Sequence, residues 1–180
     1  MIRAIIGTVA VLAGFVVVET SSDASTGLAG SCKATQVYAL PAEEPMPVRA
    51  APTHESAVIG TLATADKGTA MASSVVTLTG SKKGWARIAL DAKGYSPIDG
   101  TQRTYGWVPA DLLAVDTRLV GPVKIYDQPG LLGRETGQLG NQDQKFRVLG
   151  CRGDLLQVIN AQEGNIWIDR WCGTGRSCRD

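Results

Sequence analysis

Gly80-Ser81-Lys82-Lys83-Gly84-Trp85-Ala86-Arg87-Ile88 is answered seventy residues later by Gly150-Cys151-Arg152-Gly153-Asp154-Leu155-Leu156-Gln157-Val158. Each begins with a glycine and closes on a short apolar run of strand length, too brief for a helix. Working outward from the first stretch, similar runs lie at Val37 to Leu40, Val58 to Leu62, Val75 to Leu78, Trp85 to Leu90 and Tyr105 to Val108. The second stretch has its own set at Val123 to Tyr126, Gly137 to Leu139, Phe146 to Leu149, Leu155 to Ile159 and Ile166 to Ile168. Glycine and polar residues separate them. The chain therefore reads as all-β and internally duplicated.

The duplication is tested by its register, because a true repeat keeps one offset until a loop changes length. Pro52 and Pro129 stand 77 apart, as do Leu62 and Leu139; Gly80 and Gly150 stand 70 apart; Trp107 and Trp167 stand 60 apart. The offset falls only in glycine-rich or polar segments, so the first copy carries two loop insertions. The longer one lies in Asp91 to Arg103.

Composition narrows the function classes. The chain has 180 residues, 44% hydrophobic and 19% charged, which excludes a disordered or collagen-like protein. With 18 Lys and Arg against 17 Asp and Glu, and neither half strongly charged, the chain has no electrostatic footprint for nucleic acid. The N-terminus has the layout of a secretory signal peptide: Arg3, an apolar run from Ala4 to Val18, then small and polar residues. That run is shorter than the roughly 20 residues of a membrane-spanning helix. Cleavage after Ala24 is expected, which makes the mature protein periplasmic or secreted; the membrane is a partner only if the segment stays uncleaved.

The cysteines agree with export. Cys32, Cys151, Cys172 and Cys178 form an even set and read as two disulfides with three connectivities. Cys151 with Cys172 and Cys32 with Cys178 is the favoured pairing, since it joins a strand to the turn after its last neighbour and ties the two ends together. The other two connectivities stay open. No Cys-x-x-Cys pair exists and the single His is distant in sequence, so no metal site is expected.

Pro47-Val48-Arg49-Ala50-Ala51-Pro52, Val58-Ile59-Gly60-Thr61-Leu62, Gly84-Trp85-Ala86-Arg87-Ile88 and Gly106-Trp107-Val108-Pro109-Ala110-Asp111-Leu112-Leu113 resemble the bacterial SH3-like domain family. The match covers nearly all of Val37 to Val115. The second copy is similar but degenerate, with Lys124-Ile125-Tyr126-Asp127-Gln128-Pro129 and Asn165-Ile166-Trp167-Ile168 in place of the first and last motifs. The resemblance implies two tandem small SH3-like β-barrels, so that after the signal peptide over 1–24 and a linker over 25–36 come one domain over 37–116 and a disulfide-stapled second domain over 117–180. A domain of about 60 residues is marginal alone, so cross-links in the smaller half are physically apt.

Catalytic chemistry finds little support. His54 is the one imidazole and sits in a polar turn; Glu43-Glu44 lies in an extended stretch between Pro41 and Pro45; Asp111 and Asp169 follow their Trp-bearing strands as turn residues. The expectation is no enzyme, no cofactor and no metal. Aromatic residues exceed what two such small cores can hold, so some are expected at a binding surface. Tyr95 and Tyr105, on either side of the long insertion, are the candidates for a groove, with Trp85 as a further candidate. The expected partner is a peptidoglycan peptide or an envelope protein; the alternative is a protein interaction or inhibitor module of the envelope with no small ligand.

Overall fold

The computed structural model describes residues 30–64, 74–98, 100, 103–117, 122–140, 144–174 and 177–179. The expected signal peptide and the first residues of the linker lie outside the described residues. The strands are β1 (Gly30–Ala39), β2 (Met46–Arg49), β3 (Val58–Leu62), β4 (Val75–Lys82), β5 (Trp85–Ala89), β6 (Tyr95–Pro97), β7 (Tyr105–Pro109) and β8 (Leu113–Asp116). They continue as β9 (Val123–Tyr126), β10 (Glu135–Leu139), β11 (Lys145–Arg152), β12 (Leu155–Asn160), β13 (Gly164–Ile168), β14 (Trp171–Thr174) and β15 (Ser177–Arg179). A 3-10 turn, Ala110–Leu112, separates β7 from β8.

Alternation forms these strands. In β4 Val76 and Leu78 are buried between half-exposed neighbours, and β12 does the same with Leu156 and Val158. The β-branched and leucine side chains of one face thus enter the core while the other face stays wetter. All strands join one open antiparallel sheet in the order β10-β9-β13-β12-β11-β8-β1-β4-β5-β7-β2-β3-β6, with β14 on β8 and β15 on β14.

That order is doubled about its centre. Outward from β8 and β1, the sequence β4-β5-β7-β2-β3 on one side matches β11-β12-β13-β9-β10 on the other. The matching strands begin 77 residues apart for β2 and β9 and for β3 and β10, and 70 apart for β4 and β11 and for β5 and β12. Even the irregularities correspond: the β4–β5 ladder slips between Leu78 and Gly80, and the β11–β12 ladder between Val148 and Gly150. Each slip is a bulge that bends the strand and sharpens its twist. The counterpart of Val123–Tyr126 is therefore Met46–Arg49, and Val37–Leu40 belongs to β1, whose place beside β4 is taken beside β11 by β8: Val37 stands opposite Val76 as Val115 stands opposite Phe146.

Strand β1 corrects two expectations. From Gly30 onward the expected linker is strand: β1 pairs with β4 and β8. Its first residues also reach the second copy, where Lys33 N–H donates to Gly153 O at 2.9 Å and Gly153 N–H donates to Ser31 O at 2.9 Å. This anchoring brings Cys32 to Cys151, Cα to Cα 5.6 Å, and the two form a disulfide. The favoured pairing of Cys151 with Cys172 is thereby overturned, and with it that of Cys32 with Cys178. Cys172 instead stands opposite Cys178 in the β14–β15 ladder. A linker has no fixed place in a sequence argument, so a strand built from it was not available to hold Cys32.

One core serves both copies. Buried Val37, Leu78, Ile88 and Val108 belong to the same cluster as Phe146, Val148, Leu156 and Ile168. Trp171 closes it over β1, its indole N–H donating to the buried Thr35 hydroxyl at 3.1 Å.

Candidate functional site

The β4–β5 hairpin turns through Lys83 and Gly84, both at positive φ, 48° and 79°. Left-handed backbone at both central positions is the geometry that follows the twist of a two-residue hairpin. Gly84 O accepts a hydrogen bond from Ala110 N–H at 2.8 Å, which fastens the turn to the 3-10 segment. Trp85 then opens β5 opposite Pro109 of β7. It lies on the sheet face away from the core positions Ala86 and Ile88, yet only 7% of its surface is exposed.

Part of what covers Trp85 is the β2–β3 loop. Arg49 donates from Nη1 to Ser56 O at 2.6 Å, Ala51 N–H donates to the Ser56 hydroxyl at 2.8 Å, and the Thr53 hydroxyl bonds the Glu55 carboxylate. This closed loop presents the His54 ring edge-on to the Trp85 indole, centroids 4.9 Å apart and planes at 63°. Between the loop, the hairpin turn and the 3-10 segment lies a pocket of about 550 Å³. His54, Trp85, Pro109 and Leu112 line it, Leu149 from the bulge of β11 closes one side, and Lys83 and Asp111 carry charge on its walls. An apolar, aromatic recess with a few charged groups is the usual form of a small-ligand or peptide site.

The three aromatics expected to bind are not brought together. Tyr95 is half-buried in β6; its hydroxyl donates to Ile59 O at 3.2 Å, and its ring lies so close over Gly60 that a Cβ there would sit 2.4 Å from it. Tyr95 thus holds β6 on β3. Tyr105 is 50% exposed with the Arg87 guanidinium 5.4 Å from its ring centroid. It pairs with Ala89, four residues along the ladder from the Trp85–Pro109 pair, a separation of about 13 Å. The insertion between β5 and β7 does border a second pocket, of about 520 Å³, through Asp91, Lys93 and Gly94. Among the described residues no aromatic side chain lines it.

His54 is an exposed turn residue, as the sequence indicates, though its ring meets Trp85; the sequence singles out none of Lys83, Pro109 and Leu112 for binding. The signal for Pro109 and Leu112 was present in the Gly-Trp-Val-Pro-Ala-Asp-Leu-Leu motif; that for Lys83 was its place in a two-residue hairpin. Among the described residues no group of three or more His, Cys, Asp or Glu is placed to hold a metal ion, and no helix is long and apolar enough to cross a membrane.

No family model matches the chain, and no curated protein matches it. A solved structure described as that of NlpC2 from Trichomonas vaginalis is similar over 82% of this chain and 48% of that one, at 16% identity and a TM-score of 0.32. The chain spans about half the length of that protein, and a likeness at this level says nothing of activity.

Proposed function

We propose that the protein is an exported, non-enzymatic tandem SH3-like module of the bacterial envelope that binds cell-wall peptide through the pocket floored by Trp85. The single observation that carries this reading is the pocket itself: a nearly buried indole at its base, a fastened loop on one side and a 3-10 turn on the other. The doubled strand order supports the tandem reading, and the Cys32–Cys151 disulfide is compatible with a compartment outside the cytoplasm. Co-sedimentation with purified peptidoglycan sacculi tests it. Wild type pellets and Leu112→Asp, a change at a 37% exposed position on the pocket wall, stays in solution while melting normally. Wild type remaining in the supernatant refutes the cell-wall ligand.

A protein-interaction role is the second reading, favoured by Leu131 and Leu132. They sit at 105% and 79% exposure on the turn between β9 and β10. Two open leucines carry an exposure penalty of a few kcal/mol that docking removes. This reading predicts that Leu131→Ser with Leu132→Ser abolishes capture of an envelope protein that Leu112→Asp still captures.

A further inference from the structure

We propose that the Trp85 pocket selects ligands bearing a carboxylate and that Lys83 is the residue that holds it; this rests on the pocket reading above but not on the cell wall being the source of the ligand. Lys83 is the one non-glycine residue at positive φ among the described residues. Left-handed backbone crowds a Cβ against the following carbonyl, so the position suits glycine or asparagine far better than lysine. The molecule contains its own control. Offset by 70, the matching hairpin of the second copy places Gly153 at this turn position, at a φ of 57°. The fold therefore accepts glycine there, and the lysine of the first copy is not a requirement of the turn.

The charge is also placed for a ligand. Lys83 stands two residues before Trp85 and Asp111 two residues after Pro109, and Trp85 and Pro109 pair across the ladder. The two charged side chains thus extend past the same end of the hairpin and both line the pocket. They form no ion pair with each other, and Lys83 has no acidic partner among the described residues, whereas Lys33, Lys124 and Arg134 each have one. Lys83 is exposed on the pocket wall, where its ammonium can meet an incoming carboxylate in a charge-assisted hydrogen bond, stronger than one between neutral groups. Asp111 on the facing wall disfavours a polyanion. The pairing of signs fits one carboxylate next to a neutral or amino group, as at a peptide C-terminus or an acidic side chain within a peptide.

The test is a titration followed by NMR with three probes: acetyl-Ala-Ala with a free C-terminal carboxylate, the same dipeptide as its C-terminal amide, and acetyl-glutamate N-methylamide. The Trp85 indole N–H and the Lys83 backbone amide report on the pocket. The two carboxylate probes separate a terminal from a side-chain source, and preference for either over the amide by about tenfold or more is expected. Lys83→Arg keeps the preference. Lys83→Gly loses it while melting at the same or a higher temperature, since it restores the residue the turn suits. Equal binding of acid and amide, no response of the pocket signals to any probe, or a preference that survives Lys83→Gly overturns the assignment. The two proposals fail separately: if Lys83→Gly still pellets with sacculi and Leu112→Asp does not, the carboxylate assignment falls and the cell-wall reading stands. If wild type ignores sacculi but keeps the carboxylate preference, the reverse holds.

Discussion

Tyr38 shows how one residue can couple distant parts of the chain. Its ring is buried, and its hydroxyl donates to the Asp116 carboxylate, 78 residues away, at 2.8 Å. Burial first, then the hydrogen bond and the negative charge of Asp116, push its ionisation far above the ordinary tyrosine value of 10.0. A folded pKa raised above the unfolded one means that the native state holds this proton more tightly. The stabilisation is thus complete below pH about 10 and is lost as the pH climbs beyond it. Urea melts between pH 8 and 11 should show a steeper alkaline loss of stability in wild type than in Tyr38→Phe; parallel curves would refute the coupling. The tyrosine and tryptophan of β7 lie two residues apart but differ sharply in exposure. Trp107, 7% exposed, should cost about 3–5 kcal/mol on replacement by alanine through lost burial and a residual cavity. Tyr105→Ala, at a half-open site, should cost about 0.5–1 kcal/mol, chiefly its contact with Arg87. Thermal melts of both variants check the order.

At the scale of the strand, the matched bulges in β4 and β11 explain how the two copies meet. Ser81, just past the first bulge, donates its hydroxyl to Cys151 O at 3.1 Å and accepts from Cys151 N–H at 2.9 Å. A single side chain thus completes the backbone of the other copy at a buried position. Ser81→Ala leaves that amide unsatisfied and should destabilise the protein by about 1–3 kcal/mol, whereas Ser81→Thr retains the hydroxyl. The β14–β15 ladder makes a second prediction. Directly opposed residues of an antiparallel pair have Cα atoms about 4.5–5.5 Å apart, within the reach of a disulfide. Peptide mapping without reduction should recover Cys172 linked to Cys178 beside Cys32 linked to Cys151. A peptide joining Cys151 to Cys172 would contradict the register of both ladders.

Across the whole molecule, β1 and β8 form the seam. β1 pairs with β4 while its first residues bond to Gly153; β8 pairs with β1 on one side and places Val115 opposite Phe146 of β11 on the other. The buried cluster runs through both copies without a break. Unfolding should therefore be a single calorimetric transition, with the calorimetric and van't Hoff enthalpies equal. Two resolved transitions would show that the halves are independent. Breaking the seam covalently should be felt by both halves. The Cys32–Cys151 bridge spans 119 residues, and closing a loop of that length contributes about 5 kcal/mol in the chain-entropy model. Cys32→Ser should accordingly lower the melting temperature of the one transition rather than split it.

Ten of the strands and their repeat were legible in the sequence because short apolar runs and turn residues are local, whereas β2, β6, β8, β14 and β15 were not read from it. Val58 to Leu62, Trp85 to Ile88 and Leu155 to Ile159 are short apolar runs bounded by turn residues in the chain itself, and the offsets of 77 and 70 follow from counting. Three other features depend on contacts between residues far apart in sequence. Cys32 meets Cys151 because β1 is held by a turn more than a hundred residues downstream. Tyr95 packs on Gly60, so an aromatic on a loop became a strand anchor. His54, Lys83 and Asp111 share one pocket because the β2–β3 loop, a hairpin turn and a 3-10 segment converge there. Local pattern sets which residues can be strand or turn, since each choice concerns only neighbours. Which strand, cysteine or aromatic meets which is decided by closing long loops against one shared core, and only the tertiary structure records that outcome.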